Sequence, residues 1–138
     1  MYLIDTNIIM EVLLGRKNME ECKKLFDAVQ GKKIEAVCSH FSVHSICVFA
    51  AEKGSPEKCV ELLRYLLALE NLVVMNTTME DDIKILALAY ETDLDFDDAL
   101  QLYIAKETGC DAIITFDRDF KGKSIRALTP KEAIASAE

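Results

Sequence analysis

Five short apolar runs, rich in β-branched residues, recur along this chain at intervals that a helix can fill. We predict strands at about residues 2–5, 33–38, 72–75, 112–115 and 124–128. Helical patterns separate these runs, and this alternation is typical of an α/β domain with a parallel sheet. A chain of 138 residues has room for one such domain, which we expect to span residues 1–138.

Six helices are predicted from apolar periodicity and from residues that begin or end helices. They cover about residues 18–30, 41–52, 55–70, 77–92, 95–109 and a last segment from 129. Gly31 is suited to end the first of them. Thr77 with Glu80, and Thr129 with Glu132, have the spacing of a capping box.

Carboxylates stand where two of the predicted strands end. Asp5 follows Leu3 and Ile4, and Asp117 follows the fourth strand. Parallel strands joined by right-handed crossovers end at one edge of the sheet, and ligands bind there where the strand order reverses. Asp98 opens the helix that leads into the fourth strand. If the first and fourth strands are neighbours, Asp5, Asp98 and Asp117 converge.

Converging carboxylates repel one another unless a cation compensates their charge. Magnesium and manganese prefer oxygen ligands of this kind. A bound ion of this type lowers the pKa of water and polarises a phosphoryl oxygen. A cluster of strand-end carboxylates therefore fits the metal-dependent hydrolysis of a phosphodiester.

Several other polar residues near these acids have simpler structural explanations. Asp95 is placed as a helix N-cap, Asp97 as a favourable charge in the first helical turn, and Asp119 as a turn residue. His40 and His44 have helical i, i+4 spacing and could face one metal. No glutamate lies between them as it does in zinc proteases, so packed or surface histidines are the simpler interpretation.

Composition limits the setting in which the chain works. The net charge of −8 argues against a tight, nonspecific nucleic-acid binder. The five cysteines form no CxxC pair, as expected for reduced core thiols. No apolar run has the length of a membrane span, and the first residues read as a strand rather than a signal peptide. We therefore expect a cytoplasmic protein without a membrane partner.

Three segments, in order, resemble motifs of the PIN-domain nucleases, including VapC-like toxins of toxin–antitoxin pairs. They are Leu3-Ile4-Asp5-Thr6-Asn7, Asp98-Ala99-Leu100 and Thr115-Phe116-Asp117-Arg118-Asp119-Phe120. The likeness spans essentially the whole chain. It implies a three-layer α/β/α fold with a five-stranded parallel sheet of order 3-2-1-4-5.

The resemblance also implies an activity, a cofactor and partners. It implies an endoribonuclease that hydrolyses RNA phosphodiesters with Mg²⁺ or Mn²⁺, frequently as a homodimer. VapC-like members imply an antitoxin whose segment blocks the active-site groove. In this reading the metal ligands and catalytic residues are Asp5, Asp98 and Asp117. The supporting residues are Thr6, Asn7, His44, Thr115 and Asp119. Candidates for contacts with the RNA backbone are Arg118, Lys121 and Lys123, which could equally be solvated loop charges.

One position departs from the family pattern. The family usually carries a glutamate on the helix after the second strand, five residues after a serine or threonine. Counted from Ser39, that position is His44. An imidazole binds manganese but removes a negative charge, so we expect weaker magnesium binding, a manganese preference or lost activity. The alternative function is a catalytically impaired PIN-like module for binding or assembly.

Overall fold

A computed structural model describes residues 1–120 and 122–138. Its central feature is a sheet of five parallel strands in the order β3-β2-β1-β4-β5. The strands are β1 (Tyr2–Ile4), β2 (Ala36–Ser39), β3 (Leu72–Met75), β4 (Ala112–Ile114) and β5 (Arg126–Leu128). The predicted fold class and strand order are confirmed.

Seven α-helices and one 3₁₀ turn connect the strands within the described residues. The helices are α1 (Thr6–Leu14), α2 (Met19–Gln30), α3 (His40–Lys53), α4 (Pro56–Leu67), α5 (Met79–Thr92), α6 (Phe96–Glu107) and α7 (Pro130–Ala137). The 3₁₀ turn, Arg118–Phe120, follows β4. None of these helices combines the length and apolarity that a bilayer-spanning helix requires.

The structure contains a helix, α1, that the sequence analysis did not predict. Asp5 is the single residue between β1 and α1, and its side chain caps the helix by accepting a hydrogen bond from the Thr6 amide. The helix was missed because Ile8 and Ile9 are β-branched, and such residues favour strands over helices. The helix ends at Gly15, whose φ of 59° lies in the left-handed region that glycine tolerates.

The predicted capping box of the fifth helix is displaced by one residue. Thr78 and Asp81 form it, whereas the Thr77 hydroxyl donates to a carboxylate oxygen of Asp82. The capping box of Thr129 and Glu132 is confirmed at the start of α7.

Two apolar cores cover the two faces of the sheet. Ile4 and Ile114 pack into a core with residues of α1, α2, α3, α4 and α7, whereas Leu3 and Ile113 point into the core built by α5 and α6. Successive residues of a strand face opposite sides of its sheet, so each short strand contributes to both cores. All five cysteines are free thiols.

Candidate metal centre

Asp5 lies at the carboxyl end of β1, where β1 and β4 are neighbours. The register pairs Ile4 with Ile114, and the Asp5 amide donates to the Ile114 carbonyl at 3.0 Å. Asp5 therefore lies across from Thr115, the residue that follows β4. The Asp5 side chain is 5 % exposed, so nearly all its surface faces protein groups.

Three donors hold the Asp5 carboxylate in place. One oxygen accepts from the Thr6 amide at 2.7 Å, and the other accepts from the Thr115 hydroxyl at 2.7 Å and the Asn7 amide group at 3.0 Å. Thr115 Oγ1 also accepts from Asn7 Nδ2 at 3.0 Å and from the Asp117 backbone amide at 2.9 Å. This network ties the start of α1 to the chain after β4.

Asp98, Asp117 and Asp119 form a compact carboxylate cluster beside Asp5. One oxygen from each lies within 4.8 Å of the others. The 3₁₀ turn places Asp119 there, because its backbone amide donates to Asp117 Oδ1 at 2.9 Å. The sequence favoured a turn role for Asp119, and the structure adds its carboxylate to the cluster.

Burial and mutual repulsion raise the pKa values of these acids. The pKa of Asp5 is raised to about 6, mainly by burial, although its hydrogen bonds oppose the shift. The pKa of Asp98 is raised to about 7, first by burial and then by the charges of Asp95, Asp117, Asp5 and Asp97. Burial and the charge of Asp95 also raise the pKa of Asp97. Without a compensating cation, this arrangement disfavours the ionised form of its carboxyl groups.

The donor set suits a hard divalent cation. Asp98, Asp117 and Asp119 offer oxygen ligands alone, which Mg²⁺ and Mn²⁺ accept readily. A cation there would offset the repulsion that raises the pKa of Asp98. Nearby, Oδ1 of Asp97 is buried and has no hydrogen-bond partner among the described residues. An unsatisfied carboxylate oxygen is costly without a compensating charge, so these residues fit the expected ion.

Sequence comparison decides the family. The family model of the PIN domain matches residues 2–125, nearly the whole chain. The chain belongs to the PIN-domain family. The resemblance inferred from the three motifs is therefore confirmed. No curated protein matches this chain in sequence.

Solved structures share the PIN-domain fold over nearly their full lengths. VapC20 of Mycobacterium tuberculosis, a toxin that cleaves the sarcin–ricin loop, matches with a TM-score of 0.74 at 15 % identity, over 91 % of this chain and 96 % of its own. A toxin–antitoxin complex from Klebsiella pneumoniae matches with a TM-score of 0.67 at 25 % identity, over 94 % and 98 %. FitAcB from Neisseria gonorrhoeae matches with a TM-score of 0.65 at 18 % identity, over 95 % and 99 %.

A buried network of hydroxyl and amide groups lies next to Thr6, the residue after Asp5, and supports the PIN-domain carboxylates. Ser42 Oγ lies 2.6 Å from Thr6 Oγ1 and 2.9 Å from Ser39 Oγ. Gln101, which is fully buried, donates from Nε2 to Ser42 Oγ at 2.8 Å and to Thr6 Oγ1 at 3.3 Å. Sequence reasoning missed Gln101 and Ser42. The one available signal was the i, i+3 spacing of Gln101 from Asp98, which places both on one face of α6.

The structure does not bring His44 to the carboxylates. His44 is exposed and stacks on His40, with ring centroids 4.2 Å apart. Within residues 1–120 and 122–138, no hydrogen bond or ion pair joins His44 to an acid of the cluster. The α3 side chain that reaches Thr6 is Ser42.

The basic residues near the PIN-domain site differ in their surroundings. Arg118 is exposed on the 3₁₀ turn, directly between Asp117 and Asp119. The Lys123 ammonium donates to the backbone carbonyl of Thr92 and is half-buried. Lys121 lies outside the described residues. Among the described residues, Arg118 is thus an exposed basic side chain next in sequence to two of the clustered carboxylates.

Proposed function

We propose that this PIN domain is a metal-dependent endoribonuclease that hydrolyses RNA phosphodiesters. The observation that carries the proposal is the cluster of Asp98, Asp117 and Asp119 beside the buried Asp5, at the edge of the sheet where strand order reverses. PIN-domain membership and the nuclease toxin among its structural neighbours support the same reaction class.

The proposed ligands of Mg²⁺ or Mn²⁺ are Asp98, Asp117 and Asp5, with Asp119 as a further oxygen donor. A divalent ion held there would polarise a phosphodiester oxygen and lower the pKa of water. Thr115 and Asn7 keep the Asp5 carboxylate in one orientation through their hydrogen bonds. Thr6 and Gln101 fix the start of α1, which carries Asp5 as its cap.

We propose RNA rather than a small phosphoester as the substrate, because the carboxylates lie on an open edge with Arg118 beside them. Arg118 is the candidate for backbone contacts among the described residues, because the Lys123 ammonium is bound to the Thr92 carbonyl, and Lys121 remains a candidate from sequence. Such contacts position the chain of phosphates without reading its sequence.

Cleavage of a fluorescent single-stranded RNA pool with MnCl₂ tests the proposal. Asp117→Asn should reduce cleavage by roughly a hundredfold or more, the usual scale when a group that stabilises transition-state charge is lost. Asp27→Asn, an exposed acid on α2, is the matched control and should leave cleavage unchanged. Equal cleavage by the wild type and Asp117→Asn would contradict the assignment.

A second candidate function is a PIN-like binding or assembly module without catalysis. It is favoured by α3, which brings a serine rather than a carboxylate to the site. This alternative predicts a folded protein that does not bind Mn²⁺ and does not cleave RNA. Calorimetric titration with MnCl₂ separates the two functions. A nuclease should bind manganese, and Asp98→Asn should weaken that binding, whereas the module should show no binding in either form.

An antitoxin is the protein partner that the toxin–antitoxin complex from Klebsiella pneumoniae suggests. The proposed docking site is the groove between α1, α2 and α4, which has a volume of about 780 Å³ and is lined in part by Val12, Leu13, Leu62 and Tyr65. A small antitoxin gene beside this gene would support the proposal, and co-expression should then suppress the cleavage described above. Full cleavage in a stable complex would contradict it.

We also propose a homodimer formed through the outer face of α5. Met79, Ile83, Leu86 and Tyr90 follow one another at helical spacing and are 82 %, 66 %, 59 % and 92 % exposed. An apolar stripe of this length is unusual on a monomer surface. A second copy would cover each stripe with its equivalent across a two-fold axis.

A further inference from the structure

The two histidines of the chain form a cluster of their own at the start of α3. His40 and His44 are one helical turn apart, and their rings lie 4.2 Å apart with a tilt of 38°. His40 is half-buried and His44 is exposed, so ions in solution can reach both rings. Neither residue belongs to the carboxylate cluster.

Asn76, in the loop after β3, orients one of the two rings. Asn76 Oδ1 lies 2.8 Å from Nδ1 of His40. A carboxamide oxygen only accepts hydrogen bonds, so Nδ1 is the donor in this contact and Nε2 is the ring nitrogen that can face a metal. Histidines that bind metals are commonly held in this way, by a hydrogen bond from the second ring nitrogen.

A small cavity adjoins the two rings. Its volume is about 220 Å³, and Ser39, Asn76 and Thr77 are among the residues that line it. Apolar residues line the rest of the cavity, and Asn76 and Thr77 bring polar groups beside the rings, where an ion can retain water ligands. Imidazole nitrogens favour zinc, nickel and copper, whereas the oxygen donors of the carboxylate cluster favour magnesium and manganese. The two sites differ in their chemistry as well as in their residues.

We propose that His40 and His44 bind a zinc ion, with Asn76 as the residue that positions His40. Nε2 of His40 and one ring nitrogen of His44 are the protein ligands, and water completes the tetrahedral shell that zinc prefers. Two protein ligands make this an exchangeable site rather than a structural one. Through Asn76, the bound ion also restrains the loop between β3 and α5 against α3.

The histidine pair makes the test unusually specific. Because the sequence contains two histidines and both belong to the cluster, long-range ¹H–¹⁵N spectra of the imidazoles report on this site alone. Titration with ZnCl₂ should shift the signals of both rings together and with the same apparent affinity. MgCl₂ at the same concentrations should shift neither ring.

Two variants distinguish a shared site from separate zinc contacts. His44→Ala should leave His40 unshifted at zinc concentrations that saturate the wild type, and circular dichroism should show an unchanged fold because His44 is exposed. Asn76→Ala should weaken zinc binding roughly 10-fold to 100-fold, as expected for loss of an orienting group. Asn18→Ala is the control, since the Asn18 side chain makes no capping hydrogen bond.

Three results would overturn the proposal. One is zinc binding that leaves both imidazoles unmoved, which would place the ion at the carboxylates or thiols. Another is a shift of His40 in His44→Ala at the wild-type zinc concentration. The third is a spectrum that does not change at all under saturating zinc.

Discussion

Asp98 is a residue whose surroundings oppose its charge. Burial and four neighbouring acids raise the pKa of its carboxyl group to about 7. Its side chain makes no hydrogen bond among the described residues, whereas its backbone amide donates to Asp95 Oδ1 at 2.9 Å. The cost of ionising Asp98 in the absence of a cation therefore comes first from burial and then from several neighbouring acids rather than from one partner.

Asp98→Asn should stabilise the metal-free protein while weakening Mn²⁺ binding. The folded-state pKa is above the unfolded value, so the folded state retains a proton that the unfolded state releases between about pH 4 and pH 7. Wild-type stability from this group therefore falls as pH rises through that range. At pH 7.5 the variant should gain roughly 1–2 kcal/mol in the free energy of unfolding, after allowance for solvent screening.

Urea denaturation at pH 4.5 and pH 7.5 measures this effect. The gain of Asp98→Asn over the wild type should be larger at pH 7.5 than at pH 4.5. Asp27→Asn should show no such difference. A gain that is equal at both pH values would show that burial and repulsion do not raise the pKa of Asp98 in the folded protein.

Thr115→Val tests the hydrogen-bond network around Asp5. The replacement keeps the side-chain shape but removes the hydroxyl that donates to Asp5 and accepts from the Asp117 amide. We expect a loss of about 1–3 kcal/mol in the free energy of unfolding, because buried polar partners are left unsatisfied. We also expect weaker Mn²⁺ binding by calorimetry. Thr108→Val, whose hydroxyl bonds the Ile104 carbonyl far from the site, should lose stability without losing Mn²⁺ affinity.

Residues that contact one another across long sequence separations set the limit of what the sequence predicts. Asp5 and Asp117 were predicted as neighbours because a parallel sheet aligns strand ends. The bonds from Gln101 to Ser42 and Thr6 join three helices across 59 and 95 residues, and no local pattern encodes such pairs. Asp119 entered the cluster through the 3₁₀ turn, whose short span gives no apolar periodicity.

At the level of elements, the helix caps show how much a single side chain contributes. Thr78 forms a full capping box at α5, whereas Ser55 is at the N-cap of α4 and makes no capping hydrogen bond. Thr78→Ala should cost about 0.5–2 kcal/mol in the free energy of unfolding. Ser55→Ala should cost distinctly less, and equal losses in thermal or urea denaturation would contradict the structure at these caps.

The outer stripe of α5 carries the prediction of a dimer. Ile83→Lys places a charge in the middle of the stripe, and it should convert a dimer to a monomer in sedimentation-velocity experiments. Val48→Lys, at an exposed apolar position on α3, is the matched control and should leave the dimer intact. A wild-type protein that is monomeric at high concentration would contradict the proposal.

Strands and helices were predicted accurately where loop residues separate their sequence patterns. The prediction failed where a helix follows a strand without such a separation. Strand β3 and the end of α5 were predicted to the residue, whereas α1 was missed because Asp5 alone separates it from β1. That same junction places Asp5 at the end of the strand and at the start of the helix. The boundary between β1 and α1, which the sequence did not predict, is therefore also the one that positions a proposed metal ligand.

At the scale of the whole molecule, the fold concentrates acid at one edge of a sheet within a protein of net charge −8. Such an arrangement does not favour RNA by overall charge, so we expect binding to depend on divalent ions rather than on a basic surface. The strand order, the α/β/α layers and membership of the PIN-domain family agree with what the alternation and the motifs predicted.

Anomalous diffraction from a crystal soaked in MnCl₂ tests the central claim, that the carboxylates hold a divalent ion, most directly. We predict a peak within coordinating distance of Asp98 and Asp117, with Asp119 or Asp5 close by, and its loss in Asp98→Asn. A saturating soak that gives no peak among these carboxylates, with the site open to solvent in the lattice, would contradict the claim.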